Sequence, residues 1–121
     1  MAKRQEDLDR GVARMLALND PHGDVRFRVS RGVTRPVWEP DSKVMALYER
    51  ARTIARGLGI ELAHQSAGGG SDGNFTGAMG IPTLDGLGVQ GAGPHTLDEH
   101  ILLDSLPLRA RLFAGLLSSL A

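Results

Sequence analysis

The sequence predicts an α/β fold that is preceded by a smaller α+β piece. Three segments space their apolar residues with the period of a helix, and short β-type runs lie between them. Helices and strands alternate after Pro40, which is typical of an α/β layer. Ten of the sixteen glycines fall between Gly68 and Gly93, so that stretch is predicted to be mostly loop. We place a domain boundary near Pro36, between residues 1–36 and 37–121.

The first piece is predicted to contain one helix and one strand. Residues 5–18 carry the apolar stripe of an amphipathic helix, formed by Leu8, Val12, Met15 and Leu16. Turn-forming residues follow, and then residues 25–29 alternate apolar and polar side chains with the period of a half-buried strand. Arg35-Pro36 and Glu39-Pro40 predict a stiff connector, because a residue before proline favours extended backbone.

The second piece opens with the clearest helix of the sequence. Asp41 or Ser42 can cap its N-terminus, and Gly57 and Gly59 suit its C-terminal end. Its predicted buried stripe consists of Val44, Leu47, Tyr48, Ala51, Ile54, Ala55 and Leu58. We predict a strand at residues 61–65, a short helix at 71–79 and a brief buried strand at 81–84.

The chain is predicted to close with a helix capped by Asp104 or Ser105, with Pro107 in its first turn. Apolar residues recur along it at helical spacing, and this stripe is predicted to face the core. The predicted stripe consists of Leu106, Ala110, Phe113, Leu117 and Leu120.

Composition excludes several classes of function. Fourteen basic residues balance fourteen acidic ones, so net charge favours neither nucleic acid nor an anionic membrane as a partner. The absence of cysteine removes disulfides and thiolate metal sites and fits a cytoplasmic location. The apolar runs are too short to span a bilayer, so we expect no membrane partner.

A glycine run at residues 68–73 enters the predicted short helix. Backbone amides of such a run can approach a ligand closely, and a helix N-terminus favours an anion. The run lacks the Gly-Lys-Ser/Thr sequence that a phosphate loop requires. A tight structural turn, a turn that binds a carboxylate, and a general anion-binding module therefore remain alternatives.

His95 lies in a loop flanked by Gly91, Gly93 and Pro94. Loops held by a scaffold often carry metal ligands, and a neutral imidazole suits a divalent metal with a carboxylate nearby to orient it. An ordinary surface histidine is the alternative. Arg31 or Arg35, at the end of the first piece, could hold a substrate carboxylate with its planar guanidinium group, or could be a solvated arginine.

Taken in order, these stretches resemble the zinc-dependent family of glutamate carboxypeptidases, succinyl-diaminopimelate desuccinylases, acetylornithine deacetylases and aminoacylases. The resemblance covers nearly the whole chain. Its most specific parts are residues 68–75, 80–82 and 88–95, followed by Asp98-Glu99 and the closing helix. We expect the glutamate carboxypeptidase branch to be the most similar.

The resemblance implies a role for each candidate residue. His95 would bind one of two active-site zinc ions, which cobalt could replace. Arg35 would reach a carboxylate of a small acyl-amino-acid or peptide substrate, and Gly69, Gly70 and Ser71 would border its pocket. Residues 1–36 would end a lid domain through which such enzymes dimerise, so the resemblance also implies a homo-oligomer. Residues 37–121 would be the C-terminal part of the catalytic α/β domain.

The resemblance also implies that this chain holds only a minority of the metal site. The family's His-x-Asp motif, its bridging aspartate, its Glu-Glu pair with the general base and a further acidic ligand are expected upstream, with no counterpart here. We therefore predict an amide-bond hydrolase fragment that is inactive by itself. The alternative is a non-catalytic fragment whose activity is limited to self-association.

Overall fold

The computed structural model describes residues 2–121 and contains four helices and one small sheet. The helices are α1 (Gln5–Leu16), α2 (Ser42–Gly57), α3 (Gly73–Ala78) and α4 (Ser105–Leu120), and the strands are β1 (Gly91–Ala92) and β2 (His100–Ile101). Two compact units share these elements: the residues up to Pro40 with Ala67–Ile81, and Asp41–Ser66 with Pro82–Ala121. Such a helix-rich mixture is compatible with part of an α/β protein, and the lid and catalytic assignments stay predictions.

The second unit has its core where α2 packs against α4. Six apolar residues are buried there: Val44, Tyr48, Ala51, Ala55, Leu112 and Leu116. Gly115 allows the two helices to approach closely, because a Cβ at that position would lie 2.8 Å from Ile54 Cγ2. The Arg50 guanidinium donates to the Ser119 carbonyl near the end of α4. The predicted central helix and most of its buried stripe are thus confirmed.

A side-chain cap and a glycine mark the two ends of α2. The Asp41 carboxylate accepts a hydrogen bond from the Val44 N–H at 2.8 Å, which makes Asp41 the predicted cap. Gly59, just after the helix, adopts a left-handed φ of 73°, as glycine does at such ends.

The prediction of a strand at residues 61–65 is wrong. The Tyr48 hydroxyl donates to the Leu62 carbonyl at 2.8 Å, and the His64 ring packs edge-on against Tyr48 with centroids 4.8 Å apart. The segment is therefore held by side chains of α2 instead of by a neighbouring strand. His64 contributes to packing.

Helix α4 forms where predicted, but the predicted buried stripe is wrong. Leu112 is fully buried and Leu116 is 5% exposed, whereas Phe113 and Leu117 of the predicted stripe are 52% and 54% exposed. The helix is apolar on two neighbouring faces, and only contact with α2 decides which one is covered.

The predicted side-chain cap of α4 is also not formed. Asp104 makes no capping hydrogen bond. Ser105 Oγ instead accepts from the Gln90 N–H and donates to the Leu102 carbonyl.

Strands β1 and β2 pair antiparallel, with Gly91 opposite Ile101 and Ala92 opposite His100. Gly91 is required here because any Cβ would collide with the His100 carbonyl oxygen.

The predicted strand at residues 81–84 is not formed. That segment leaves α3 through a hydrogen bond from Ile81 N–H to the Thr76 carbonyl instead of joining a sheet.

In the first unit, α1 ends two residues before the predicted limit. The predicted strand at residues 25–29 is wrong, since the structure has only an isolated bridge between Asp20 and Phe27. The Asn19 side chain donates to the Val29 carbonyl at 3.0 Å and accepts from the Val29 N–H at 2.7 Å. Val25 and Phe27 are 66% and 55% exposed, so the apolar residues of the alternating pattern are not buried.

Helix α3 confirms the predicted short helix and is tied to the connector before α2. The Asn74 side chain donates to the Pro36 carbonyl at 2.8 Å, and the Trp38 indole lies so close to Gly77 that no side chain would fit there.

Within residues 2–121, no helix combines the length and the apolar character that are needed to cross a bilayer.

The two faces of α4 give a matched test of the observed packing. Replacing Leu112 by alanine leaves a cavity in the core and should lower the free energy of unfolding by about 2–5 kcal/mol. Replacing the half-exposed Leu117 by alanine should change it by only about 0.5 kcal/mol. Urea unfolding followed by circular dichroism measures both. A larger loss for Leu117→Ala than for Leu112→Ala would mean that α4 is packed through the stripe predicted from the sequence.

Candidate functional site

The first unit brings Arg35 to the glycine run. Arg35 Nη2 lies 3.2 Å from Asp72 Oδ1 and forms an ion pair with it. The Arg35 side chain also passes Gly70 so closely that a Cβ there would lie 2.9 Å from Arg35 Cδ. The guanidinium group is therefore held beside the turn that precedes α3.

Local hydrogen bonds shape this turn. Ser71 Oγ accepts from the Gly73 N–H at 3.0 Å, and the Asn74 side-chain oxygen accepts from the Ser71 N–H at 2.9 Å. Asn74 also holds the Pro36 carbonyl, so one side chain joins the residue after Arg35 to the glycine run. Asn74 is not among the candidate residues predicted from the sequence, although asparagine at a helix start is a recognisable signal for such bonds.

The Arg35–Asp72 pair lies at the surface, with the two side chains 48% and 93% exposed. An ion pair of this kind contributes about 0–1 kcal/mol, because water and salt screen it. A substrate carboxylate could therefore replace Asp72 at little energetic cost. Arg31, the alternative considered from the sequence, bonds through Nε to Thr34 Oγ1 at 3.2 Å instead.

The second unit holds a seven-residue loop, Gly93 to Glu99, between β1 and β2. Thr96 organises it: its N–H and its hydroxyl both donate to the Gly93 carbonyl, and its Oγ1 accepts from the Asp98 N–H at 3.2 Å. Gly93 has a φ of 69°, and a Cβ on it would lie 3.0 Å from Thr96 Oγ1. These contacts give the loop a defined backbone.

His95 occupies the tip of this loop and is exposed. Its φ is 64°, the one non-glycine value in the left-handed region among the described residues. Such a conformation is unfavourable for a residue with a Cβ, and strained positions of this kind cluster at functional sites. The Glu99 carboxylate accepts from the His95 N–H at 3.3 Å and so helps to hold the strained backbone.

The described residues offer one candidate metal ligand, His95, and no complete metal site. No group of three or more His, Cys, Asp or Glu side chains suited to a metal exists in the described part of the chain. A zinc site takes at least three protein ligands. The described residues therefore do not fit a resident zinc by themselves, and His95 could serve only as one ligand of a site completed from elsewhere.

Residues 22–24, His-Gly-Asp, have the letters of a His-x-Asp motif, contrary to the expectation that this chain has no counterpart of one. In the structure these residues form an exposed turn in which Asp20 Oδ1 accepts from the N–H groups of His22 and Gly23. The turn belongs to the link after α1, and the described residues around it form no metal cluster. The motif is thus explained by local turn chemistry.

The sequence-predicted site residues fall into two sets. Arg35, Gly70 and Ser71 belong to the first unit, where the Arg35 side chain lies against Gly70. Gly69 precedes them in the glycine run and is exposed, and a Cβ there would have no atom within 4 Å. His95 belongs to the second unit, on the loop between β1 and β2. Their roles in binding metal and substrate stay predictions.

Comparison with known proteins places these features in a family context. The model of "Peptidase family M20/M25/M40" matches residues 11–119. The chain is 30% identical over 119 residues to succinyl-diaminopimelate desuccinylase of Thioalkalivibrio sulfidiphilus (strain HL-EbGR7), covering 95% of the chain and 30% of that enzyme. It is 29% identical over 126 residues to carboxypeptidase G2 of Pseudomonas sp. (strain RS-16), covering 97% of the chain and 29% of that protein.

The chain thus spans about 30% of the length of these relatives. Their nearly equal identities do not separate the carboxypeptidase branch, which we expected to be the most similar, from the desuccinylase branch. No solved structure matches the chain.

Gly93 offers a test of the loop that carries His95. An alanine at Gly93 would be forced into a left-handed backbone and would crowd Thr96, so the loop should open locally. We expect faster hydrogen exchange at the amides of Thr96 and Glu99, measured by NMR. The matched control is Gly88→Ala, where a Cβ meets nothing within 4 Å. Unchanged exchange in Gly93→Ala would show that the loop does not depend on this conformation.

Proposed function

Because the chain belongs to peptidase family M20/M25/M40, we propose that it supplies part of the active site of a zinc-dependent amide-bond hydrolase, with cobalt able to replace zinc. The observation that carries this proposal is the loop between β1 and β2. It holds His95 exposed and in a strained backbone conformation, outside the core of its unit. A histidine of this kind is suited to bind a partner that lies outside the unit.

His95 supplies one imidazole ligand in this proposal, and Glu99 orients it through the His95 backbone. When bound, zinc would polarise the scissile carbonyl and lower the pKa of a bound water. The remaining ligands and the general base come from residues beyond this chain. The chain therefore contributes one metal ligand and groups that bind and position the substrate.

The proposed substrate is a small acyl-amino acid or peptide with a free carboxylate. Arg35 binds that carboxylate with its planar guanidinium group, displacing the exposed Asp72. The backbone at residues 69–71 seats the neighbouring part of the substrate, because the glycines leave the main chain accessible. The names of the two relatives, a desuccinylase and a carboxypeptidase, agree with substrates of this class.

A chimera tests these roles. In it, this chain replaces the matched region of the Thioalkalivibrio desuccinylase, and hydrolysis of acyl-amino acids is measured with zinc. His95→Ala should lower kcat/KM at least about 100-fold through loss of a metal ligand. Arg35→Ala should raise KM with little change in kcat, because it removes binding that substrate and transition state share.

The matched control for His95 is His22→Ala, which removes another exposed loop histidine and should leave the rate unchanged. A chimera that is equally active with and without His95 would refute its assignment as a metal ligand. An Arg35→Ala variant with an unchanged KM would refute the carboxylate assignment independently.

The isolated chain of 121 residues should show no turnover of acyl-glutamates, with zinc or with cobalt added. The physical reason is that one histidine cannot fix a metal in catalytic geometry. Hydrolysis is measured by release of the free amino acid from purified protein. Metal-dependent turnover that co-purifies with the chain would refute the proposal that it is one part of a larger site.

We also propose that the isolated chain self-associates. Self-association is the alternative function of a fragment that takes no part in catalysis. Fourteen large apolar residues outside α4 are exposed in the described part of the chain, and surfaces of this kind promote association. Static light scattering at micromolar concentration should give a dimer or a larger species. A monomer under these conditions would contradict this. The dimer through residues 1–36 and a cytoplasmic location stay predictions.

A further inference from the structure

Helix α4 presents a second apolar face that the described residues leave open. We define the open face of α4 as Leu106, Ala110, Phe113, Leu117 and Leu120. Its four large side chains are each 50–55% exposed, from Leu106 at 50% to Leu120 at 55%. The neighbouring face, with Leu112 and Leu116, already packs against α2.

The open face is continuous and uncharged. Its residues follow one another at intervals of four or three, so they form one stripe that extends about 20 Å along the helix. None of the five carries a charge or a polar side-chain atom. A helix that is apolar on two faces is typically buried on both, so this stripe indicates a missing neighbour.

We propose that the open face of α4 docks onto an apolar surface of the remainder of an M20-family enzyme, the part for which this chain has no counterpart. Helix α4 lies almost entirely within residues 11–119 that match the family. Most of the length of each relative lies outside the matched region, which covers 30% and 29% of them. This inference rests on family membership and not on the proposed roles of His95 or Arg35.

A second copy of the chain is a less suitable occupant. An aromatic side chain buries about 150–250 Å² when fully covered, and Phe113 is already half covered. Even if each of the five side chains had as much area left to bury as Phe113, about 75–125 Å², they would together offer at most about 600 Å². That is short of the roughly 800 Å² per partner of a stable interface. Docking within one polypeptide does not require that area, because it avoids the entropy loss of association.

The experiment compares the isolated chain with the chimera in which it replaces the matched region of the desuccinylase. The readouts are amide hydrogen exchange across residues 106–120 and the melting temperature. We expect exchange in α4 to be at least about tenfold slower in the chimera, because the open face is covered there. Phe113→Glu should lower the melting temperature of the chimera by roughly 5 °C or more, since docking would bury a carboxylate.

In the isolated chain the same Phe113→Glu substitution should shift melting by less than about 1 °C, because the side chain stays half exposed. The matched control is Ser118→Glu, which introduces the same residue on an exposed position of α4 outside the open face and should have no effect in either protein. Circular dichroism verifies that each variant keeps its helices.

Equal effects of Phe113→Glu in the two proteins, or a chimera that does not fold while the isolated chain does, would overturn the proposal. Exchange in α4 that slows with increasing concentration of the isolated chain, to the level of the chimera, would identify a second copy as the occupant and also overturn it. A folded chimera with protected α4 and no hydrolysis would uphold this inference while refuting the proposed function.

Discussion

The contact between α2 and α4 is the packing interaction on which the second unit depends. All six buried apolar residues of the described chain lie on these two helices. Gly115 makes the contact possible, because a larger residue would press against Ile54. The strands that carry the His95 loop are joined to the start of α4, because the Gln90 N–H just before β1 donates to Ser105 Oγ.

Two backbone features shape that loop. Gly91 allows β1 and β2 to pair because it has no Cβ to collide with the His100 carbonyl oxygen. Gly93 then turns the chain at a left-handed φ of 69°, and His95 follows with φ 64°. The loop satisfies its polar backbone groups internally through Thr96 and Glu99. The backbone of the loop is thus defined by its own residues, while the His95 side chain is exposed.

The first unit shows a different kind of organisation. None of its described residues is buried, and its contacts are mainly hydrogen bonds from Asn19, Asn74 and Arg35 to backbone or carboxylate. An arginine held only by an exposed carboxylate can change partners at low cost. The weakness of the Arg35–Asp72 pair is thus what would allow the proposed exchange of Asp72 for a substrate carboxylate.

The sequence by itself determined the helices and the turns. Helical periodicity, the cap at Asp41 and the glycines at helix ends depend on residues close together in the chain, so α1, α2, α3 and α4 could all be predicted. The resemblance to the peptidase family was likewise carried by local motifs, and the family match confirms it. The placement of Arg35 beside the glycine run was not derivable, because it depends on a bond between residues that are far apart.

Tertiary structure alone decided which faces are buried and which segments become strands. A strand needs a partner with free main-chain groups, and residues 25–29 and 61–65 instead meet the side chains of Asn19 and Tyr48. An apolar stripe indicates that a face will be covered without indicating what will cover it. In α4, contact with α2 selected the face of Leu112, while the equally apolar face of Phe113 was left open.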